Sequence, residues 1–275
     1  MVNGAVWFRT DLRLDDNPAL NSAMEKCDQI VGIYFFSEAQ WNLHNESNIK
    51  HEFLLKNLTS LDKSLSKLNI SLIAINTDSY KTLPEDLLTF LVEHKIDNVF
   101  WNNEFGVNES ERDVAVEKNL NKNNIQTSRF NDQVIFEPGY LKTGQGNPFS
   151  VFTPFKRQWI ENFEMDFLDI DTPKNAKEPN LIKSDLSKLN FIKTHAAKID
   201  LWPAGEIAAQ DRLANFLSSK VKSYSESRNS PILDGTSRIS PYLALGILSP
   251  KRCILEGLKL NNFEFASGNK GICKW

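Results

Sequence analysis

The sequence predicts an α/β fold: a doubly wound, parallel, five-stranded sheet, then a long connection, then the start of an all-helical region. Three observations predict it. Five short runs read as strands that are apolar on both faces, as buried parallel strands are. Helical patterns of crossover length separate them. From Pro203 onward the patterning is helical to the end.

In order, the strands are Ala5-Val6-Trp7-Phe8, Ile30–Phe36, Ser71–Ile75, Val99-Phe100-Trp101 and Ile125-Gln126-Thr127. The intervening helices are Pro18–Lys26, Ser47–Leu68, Pro84–His94 and Glu109–Leu120. Residues 1–130 therefore form one α/β domain. Residues 131–200 carry turn chemistry, such as Pro138-Gly139 and Gly144-Gln145-Gly146-Asn147-Pro148, interrupted by one helix, Pro154–Phe163. So long an irregular stretch reads as an interdomain linker. Residues 201–275 open the helical domain.

Composition narrows the function. No window approaches the ~20 apolar residues that cross a bilayer. The start Met1-Val2-Asn3-Gly4 has no basic segment followed by an apolar one, so no signal peptide is expected. Cys27, Cys253 and Cys273 are far apart and odd in number, which favours free thiols in a reducing cytoplasm over a disulfide framework or a zinc cluster. Residues 1–149 hold 14 basic against 21 acidic side chains, a balance of −7, and residues 150–275 hold 18 against 14, a balance of +4. The second part is the one suited to an anionic partner. No Gly-x-Gly-x-x-Gly follows the first strand and no Walker-type loop occurs, which argues against an ordinary dinucleotide or P-loop site. No acid–base dyad, nucleophile triad or metal cluster is visible.

The densest signal is Gly235-Thr236-Ser237-Arg238-Ile239-Ser240-Pro241-Tyr242-Leu243-Ala244-Leu245-Gly246-Ile247-Leu248-Ser249-Pro250. Ser240-Pro241 and Ser249-Pro250 each read as an N-cap followed by proline at the first helical position, and Gly246 suits the end of the first short helix. Thr236, Ser237, Arg238 and Ser240 then crowd hydroxyls and one guanidinium onto a helix N-terminus. That set can hold a phosphate; it can equally be a well-capped helix pair whose hydroxyls satisfy only backbone.

This segment resembles the flavin-phosphate signature of the photolyase/cryptochrome family. The opening Val6-Trp7-Phe8-Arg9-Thr10-Asp11-Leu12-Arg13-Leu14-Asp15-Asp16-Asn17-Pro18 resembles the family's first strand and turn, and Val151-Phe152-Thr153-Pro154-Phe155-Lys156 a third family segment, in the expected order. The resemblance implies that Tyr224, Thr236, Ser237, Arg238 and Ser240 contact the phosphates or sugar of FAD, and that Arg228 meets a DNA phosphate. Trp41-Asn42-Leu43-His44-Asn45 and Phe105-Gly106-Val107-Asn108-Glu109 resemble the folate-binding subgroup, implying that Asn108 and Glu109 hold the pterin ring of a 5,10-methenyltetrahydrofolate antenna with His44 beside it. Asn108 also reads as the cap of an Asn108–Glu111 capping box. Arg9, Arg13, Asp15 and Asp16 read as an ion-paired turn and domain contact.

The implied protein is a deoxyribodipyrimidine photo-lyase: a cytoplasmic, monomeric lyase that repairs cyclobutane pyrimidine dimers in damaged DNA by electron transfer from reduced FAD. The family's Trp-Arg-Glu-Phe-type segment and later helices are not in the 275 residues, so catalytic residues are expected outside them, the chain is expected to be inactive alone, and exposed apolar surface is expected on its helical part. A blue-light-receptor cryptochrome and a non-catalytic pterin- or nucleotide-binding module are the competing readings.

Overall fold

Apolar residues in immediate succession leave strand β1 (Asn3–Phe8) nowhere to go but the centre of a sheet. Its alternate side chains enter opposite layers, Val6 and Phe8 into one, Ala5 and Trp7 into the other. A computed structural model describes residues 1–275 apart from 174, 180, 181, 191, 193–200 and 266. In it β1 lies between β2 (Gln29–Phe36) and β4 (Asn98–Asn102), with β3 (Ser71–Asn76) and β5 (Gln126–Phe130) at the edges. The order is β3-β2-β1-β4-β5, and all pairs are parallel, with Val6 opposite Gly32 and Phe100. The predicted doubly wound sheet is therefore the observed one.

Helices α1 (Pro18–Lys26) and α3 (Asn48–Ser66) cover one face with Leu20, Leu54, Leu58 and Leu65. Helices α4 (Leu83–Glu93) and α5 (Val107–Lys122) cover the other with Leu87, Leu91, Val116 and Leu120. Between β2 and α3 lies a further helix, α2 (Glu38–Leu43), capped by Ser37 and absent from the sequence prediction. It buries no residue, so it has no apolar periodicity to read.

The connection is more ordered than its turn chemistry suggests. It contains α6 (Phe152–Glu161), two residues earlier than predicted, and short 3-10 turns at Met165–Leu168 and Ser187–Leu189. Part of it lines the outer edge of β3. The Asp185 N–H donates to Leu72 O at 2.9 Å, Ala74 N–H donates to Asp185 O at 2.9 Å, and Leu72 N–H donates to Ser184 Oγ at 3.1 Å.

The helical part comprises α7 (Glu206–Ser219), α8 (Tyr224–Ser227), α9 (Ser240–Ala244), α10 (Pro250–Leu260) and α11 (Lys270–Lys274). Leu213, Phe216, Tyr242 and Ile247 join the same buried cluster as Val6 and Leu58, so one core crosses from sheet to helices. Ile207, Ile232, Leu233, Leu260 and Phe263 remain exposed. Among the described residues no helix is long and apolar enough to cross a membrane.

The loop after β1 bolts the two parts together. Leu12 N–H donates to Leu245 O at 3.1 Å. Arg13 is buried, donates to Gly246 O at 3.0 Å and pairs with Asp132. Arg252 grips Asp15 at 2.6 Å, Asp16 pairs with Ser249 Oγ, and Glu206 accepts the N–H groups of Leu14 and Asp15 at 2.9 and 3.0 Å. Gly246 makes this approach possible: its φ is +60°, and a Cβ there would lie 1.9 Å from Thr10 O. Arg9 departs from the expected domain contact. It turns into the α/β unit, pairing with Asp113 at 2.8 Å, with Asn102 O and with the Trp7 ring at 4.5 Å.

Candidate functional site

In an open parallel sheet the crevice outside the carboxyl ends of the strands, where the winding direction reverses, is the natural place for a ligand. Here the reversal falls between β1 and β4, and the loops leaving them carry Thr10 and Glu104. Both line a cleft of about 1600 Å³ that runs on between α6 and the short helices of the second part.

One end of the cleft is acidic. Glu104 is spent: Thr10 Oγ1 donates to it at 2.6 Å and Arg112 Nη2 at 2.8 Å. Burial pushes its carboxyl up, but Arg9, Arg112 and these hydrogen bonds outweigh that and hold it below its ordinary value. Glu109 is different. Tyr80 OH donates to its Oε1 at 3.3 Å, its Oε2 lies over Gly106, and the side chain faces the cleft with acceptor capacity left.

The other end is cationic and hydroxyl-rich. Tyr224, Arg228, Thr236, Ser237, Arg238 and Ser240 all line it. Arg238 sits at φ +52°, a left-handed conformation costing a non-glycine residue about 1–2 kcal/mol. Its carbonyl is fixed by Trp202 Nε1 at 2.9 Å, and its guanidinium pairs with Asp234 at 3.0 Å. Lys220, the leading cause, and Arg238 hold the exposed Asp234 carboxyl below its ordinary value. Arg228 is exposed, its guanidinium 6.0 Å from the Tyr224 ring centre.

Two capping expectations are corrected. Helix α9 begins at Ser240 itself, after Ile239 in helical conformation, and Ser240 caps nothing. The chain enters from left-handed Arg238, whereas a capping side chain needs extended backbone. Ser249 does enter α10 from extended backbone and accepts from Arg252 N at 3.3 Å, as expected. Likewise α5 starts at Val107 with Gly106 as its cap residue, so Asn108 lies within the first turn and the Asn108–Glu111 box does not form. Among the described residues, the hydroxyls of Thr236, Ser237 and Ser240 have no protein partner, so the structure does not use them as backbone caps.

Seven of the nine residues indicated by the sequence thus share one cleft. Asn108 is exposed on α5 and His44 is exposed at the end of α2, and neither is among the lining residues. The sequence reading missed Thr10, Glu104 and Gln133. The first two stand just beyond β1 and β4, so the switch-point rule could have found them.

Fold and cleft together define a two-part protein, an α/β domain sharing a ligand cleft with a helical one. The chain belongs to the DNA photolyase family, whose model matches residues 5–179. The deoxyribodipyrimidine photo-lyase of Buchnera aphidicola subsp. Acyrthosiphon pisum is 33% identical over 274 residues, covering 95% of this chain and 54% of that protein. The crystal structure of a class III photolyase from Agrobacterium tumefaciens superposes on the whole chain with TM-score 0.85 at 26% identity, over 56% of its own length. A Synechocystis cryptochrome is similar in fold, with TM-score 0.78 at 20% identity, covering 100% of this chain and 59% of its own. The chain spans about half the length of the curated relatives it matches (54% of each of the first four).

Proposed function

We propose that the chain provides the antenna domain and the phosphate end of the flavin cleft of a deoxyribodipyrimidine photo-lyase, which splits cyclobutane pyrimidine dimers in DNA with light. One observation carries the reading: Thr236, Ser237 and Ser240 bring three hydroxyls without protein partners, beside Arg238, to the wall of a large cleft. Residues 1–130 are the antenna domain, 131–200 the connection and 201–275 the opening of the FAD-binding domain.

The residues present fit FAD and 5,10-methenyltetrahydrofolate. Tyr224, Thr236, Ser237, Arg238 and Ser240 would hold the FAD phosphates and sugar; an exposed pair such as Arg238–Asp234 exchanges partner at small cost. Glu109 would accept the amino edge of the pterin, with Asn108 and His44 bordering it from outside the cleft wall. Arg228, exposed at the rim, would meet a phosphate of the damaged DNA. Bound FAD supplies electron donation to the dimer on illumination, and the folate collects light for it; the chain contributes binding, placement and charge. Three free cysteines agree with a reducing cytoplasm, where the protein works as a monomer.

The test is titration of FAD against this chain and its Arg238→Ala variant, with melting of the ligand-free proteins. A charge-assisted hydrogen bond contributes ~1.5–3 kcal/mol, so FAD affinity falls about tenfold or more while the ligand-free melting temperature holds. Equal affinity with a lower melting temperature would make Arg238 a structural partner of Asp234 and remove the phosphate assignment.

A further inference from the structure

We infer that Tyr80 is a positioning residue for Glu109, holding one carboxylate oxygen so that the remaining acceptors face the cleft and favour a ligand with two adjacent N–H donors. The inference rests on the folate reading above.

Tyr80 lies in the loop between β3 and α4 and is not among the residues lining the cleft, whereas its partner Glu109 is. Its hydroxyl donates to Glu109 Oε1 at 3.3 Å. Glu109 Oε2 occupies space that Gly106 leaves open: a Cβ on Gly106 would lie 2.0 Å from it. Tyr80 therefore holds one carboxylate oxygen, and the absent Gly106 side chain leaves room for the other.

The holder is itself held. Arg112 stacks on the Tyr80 ring at 4.9 Å and is anchored by Glu104 at 2.8 Å and Asp113 at 2.7 Å. Burial pushes the Tyr80 hydroxyl up to about 12, so it stays protonated and remains a donor at physiological pH.

A carboxylate has about four lone-pair sites. With one engaged by Tyr80, the other acceptors remain for the cleft. A 2-amino-4-oxo-pteridine presents the matching pair, its amino group and the adjacent ring N–H, much as an amino-bearing base edge does.

The test is a double-mutant cycle on this chain with 5,10-methenyltetrahydrofolate as the probe, read by affinity and by the circular dichroism that the bound chromophore acquires. Glu109→Gln is expected to weaken binding at least tenfold, and Tyr80→Phe roughly 3- to 10-fold with an altered dichroism band, as for loss of one hydrogen bond. In the Glu109→Gln background Tyr80→Phe should cost less than about twofold, since the group it positions is gone. Gly106→Ala, which crowds Glu109 Oε2, should weaken binding with an altered band as well, and if Tyr80→Phe melts early, Tyr80→His, which removes the phenol hydroxyl from the same position, is read in both backgrounds in its place. Equal losses from Tyr80→Phe in both backgrounds, or no loss beside a clear Glu109→Gln effect, would overturn the inference while sparing the folate reading. An unaffected Glu109→Gln, or a parent chain that does not bind the probe, would overturn both.

Discussion

Asp11 is a carboxylate enclosed by the turn after β1, with Arg9 N–H and Asn102 Nδ2 both donating to it at 2.6 Å. Burial is the largest influence on it and outweighs those donors and the Arg9 charge, so its carboxyl is pushed up to about 6. Its folded value thus exceeds its unfolded one. Between roughly pH 4 and 6 the folded chain binds more protons than the unfolded chain, and stability falls as pH rises through that window. The contribution is fully present below pH ~4, and a shift of this size is worth roughly 3 kcal/mol. Asp11→Asn removes the titration and leaves other pH effects in place. Denaturant unfolding at steps from pH 4 to 7 should show the parent losing about 2–3 kcal/mol relative to the variant. Parallel curves would mean that Asp11 titrates alike in both states. The sequence analysis does not single out Asp11: one donor, the Arg9 N–H, is two residues away, but the other, Asn102 Nδ2, comes from the end of β4 and no spacing announces it.

Among the elements, the inner strands β1, β2 and β4 are the easiest to read, because burial on both faces writes apolar runs; the edge strand β5, Gln126–Phe130, has no buried residue and departs from that expectation. Boundaries were harder. Ser240-Pro241 and Ser249-Pro250 are the same dipeptide with opposite outcomes, decided by the backbone before each helix: left-handed at Arg238, extended at Ser249. That contrast is measurable. Ser249→Ala loses a cap worth about 1 kcal/mol and a partner of Asp16, so unfolding should come at least that much earlier. Ser240→Ala should stay within ~0.5 kcal/mol of the parent. Equal losses at the two sites would restore Ser240 as a cap. The hydroxyl-rich end of the cleft is legible because five of its positions are contiguous, 236–240, whereas Thr10, Glu104 and Gln133 come from three separate loops.

For the molecule as a whole, the doubly wound class is legible from alternation and the domain contact from Arg13, Asp15 and Asp16, but the partners these residues find, Gly246, Ser249 and Arg252, are not. Arg13 is the reason they cannot slide: its guanidinium reaches Asp132, Gly246 O, Asp15 O and Asp16 O, all buried or nearly so. Removing one partner of a buried pair strands the other charge and costs ~3–5 kcal/mol. Arg13→Met should destabilise by about that much in chemical denaturation, and adding Asp132→Asn should recover part of it. A loss under ~1 kcal/mol would place the pair with weak surface bridges. The shared core predicts that such damage is felt on both sides of the contact, since Leu58 and Tyr242 belong to one buried cluster.

The strip of connection beside β3 has a colloidal meaning. An outer strand is a row of open hydrogen-bonding groups, a template on which a foreign strand can continue the sheet. Leu72 and Ala74 offer such groups, and Ser184 and Asp185 of the same chain already occupy them. The segment thus works as a selvedge that keeps the fabric from growing, and it lies far along the chain from the sheet it finishes. Severing it would leave the cleft residues untouched while opening the edge of β3 to a foreign strand.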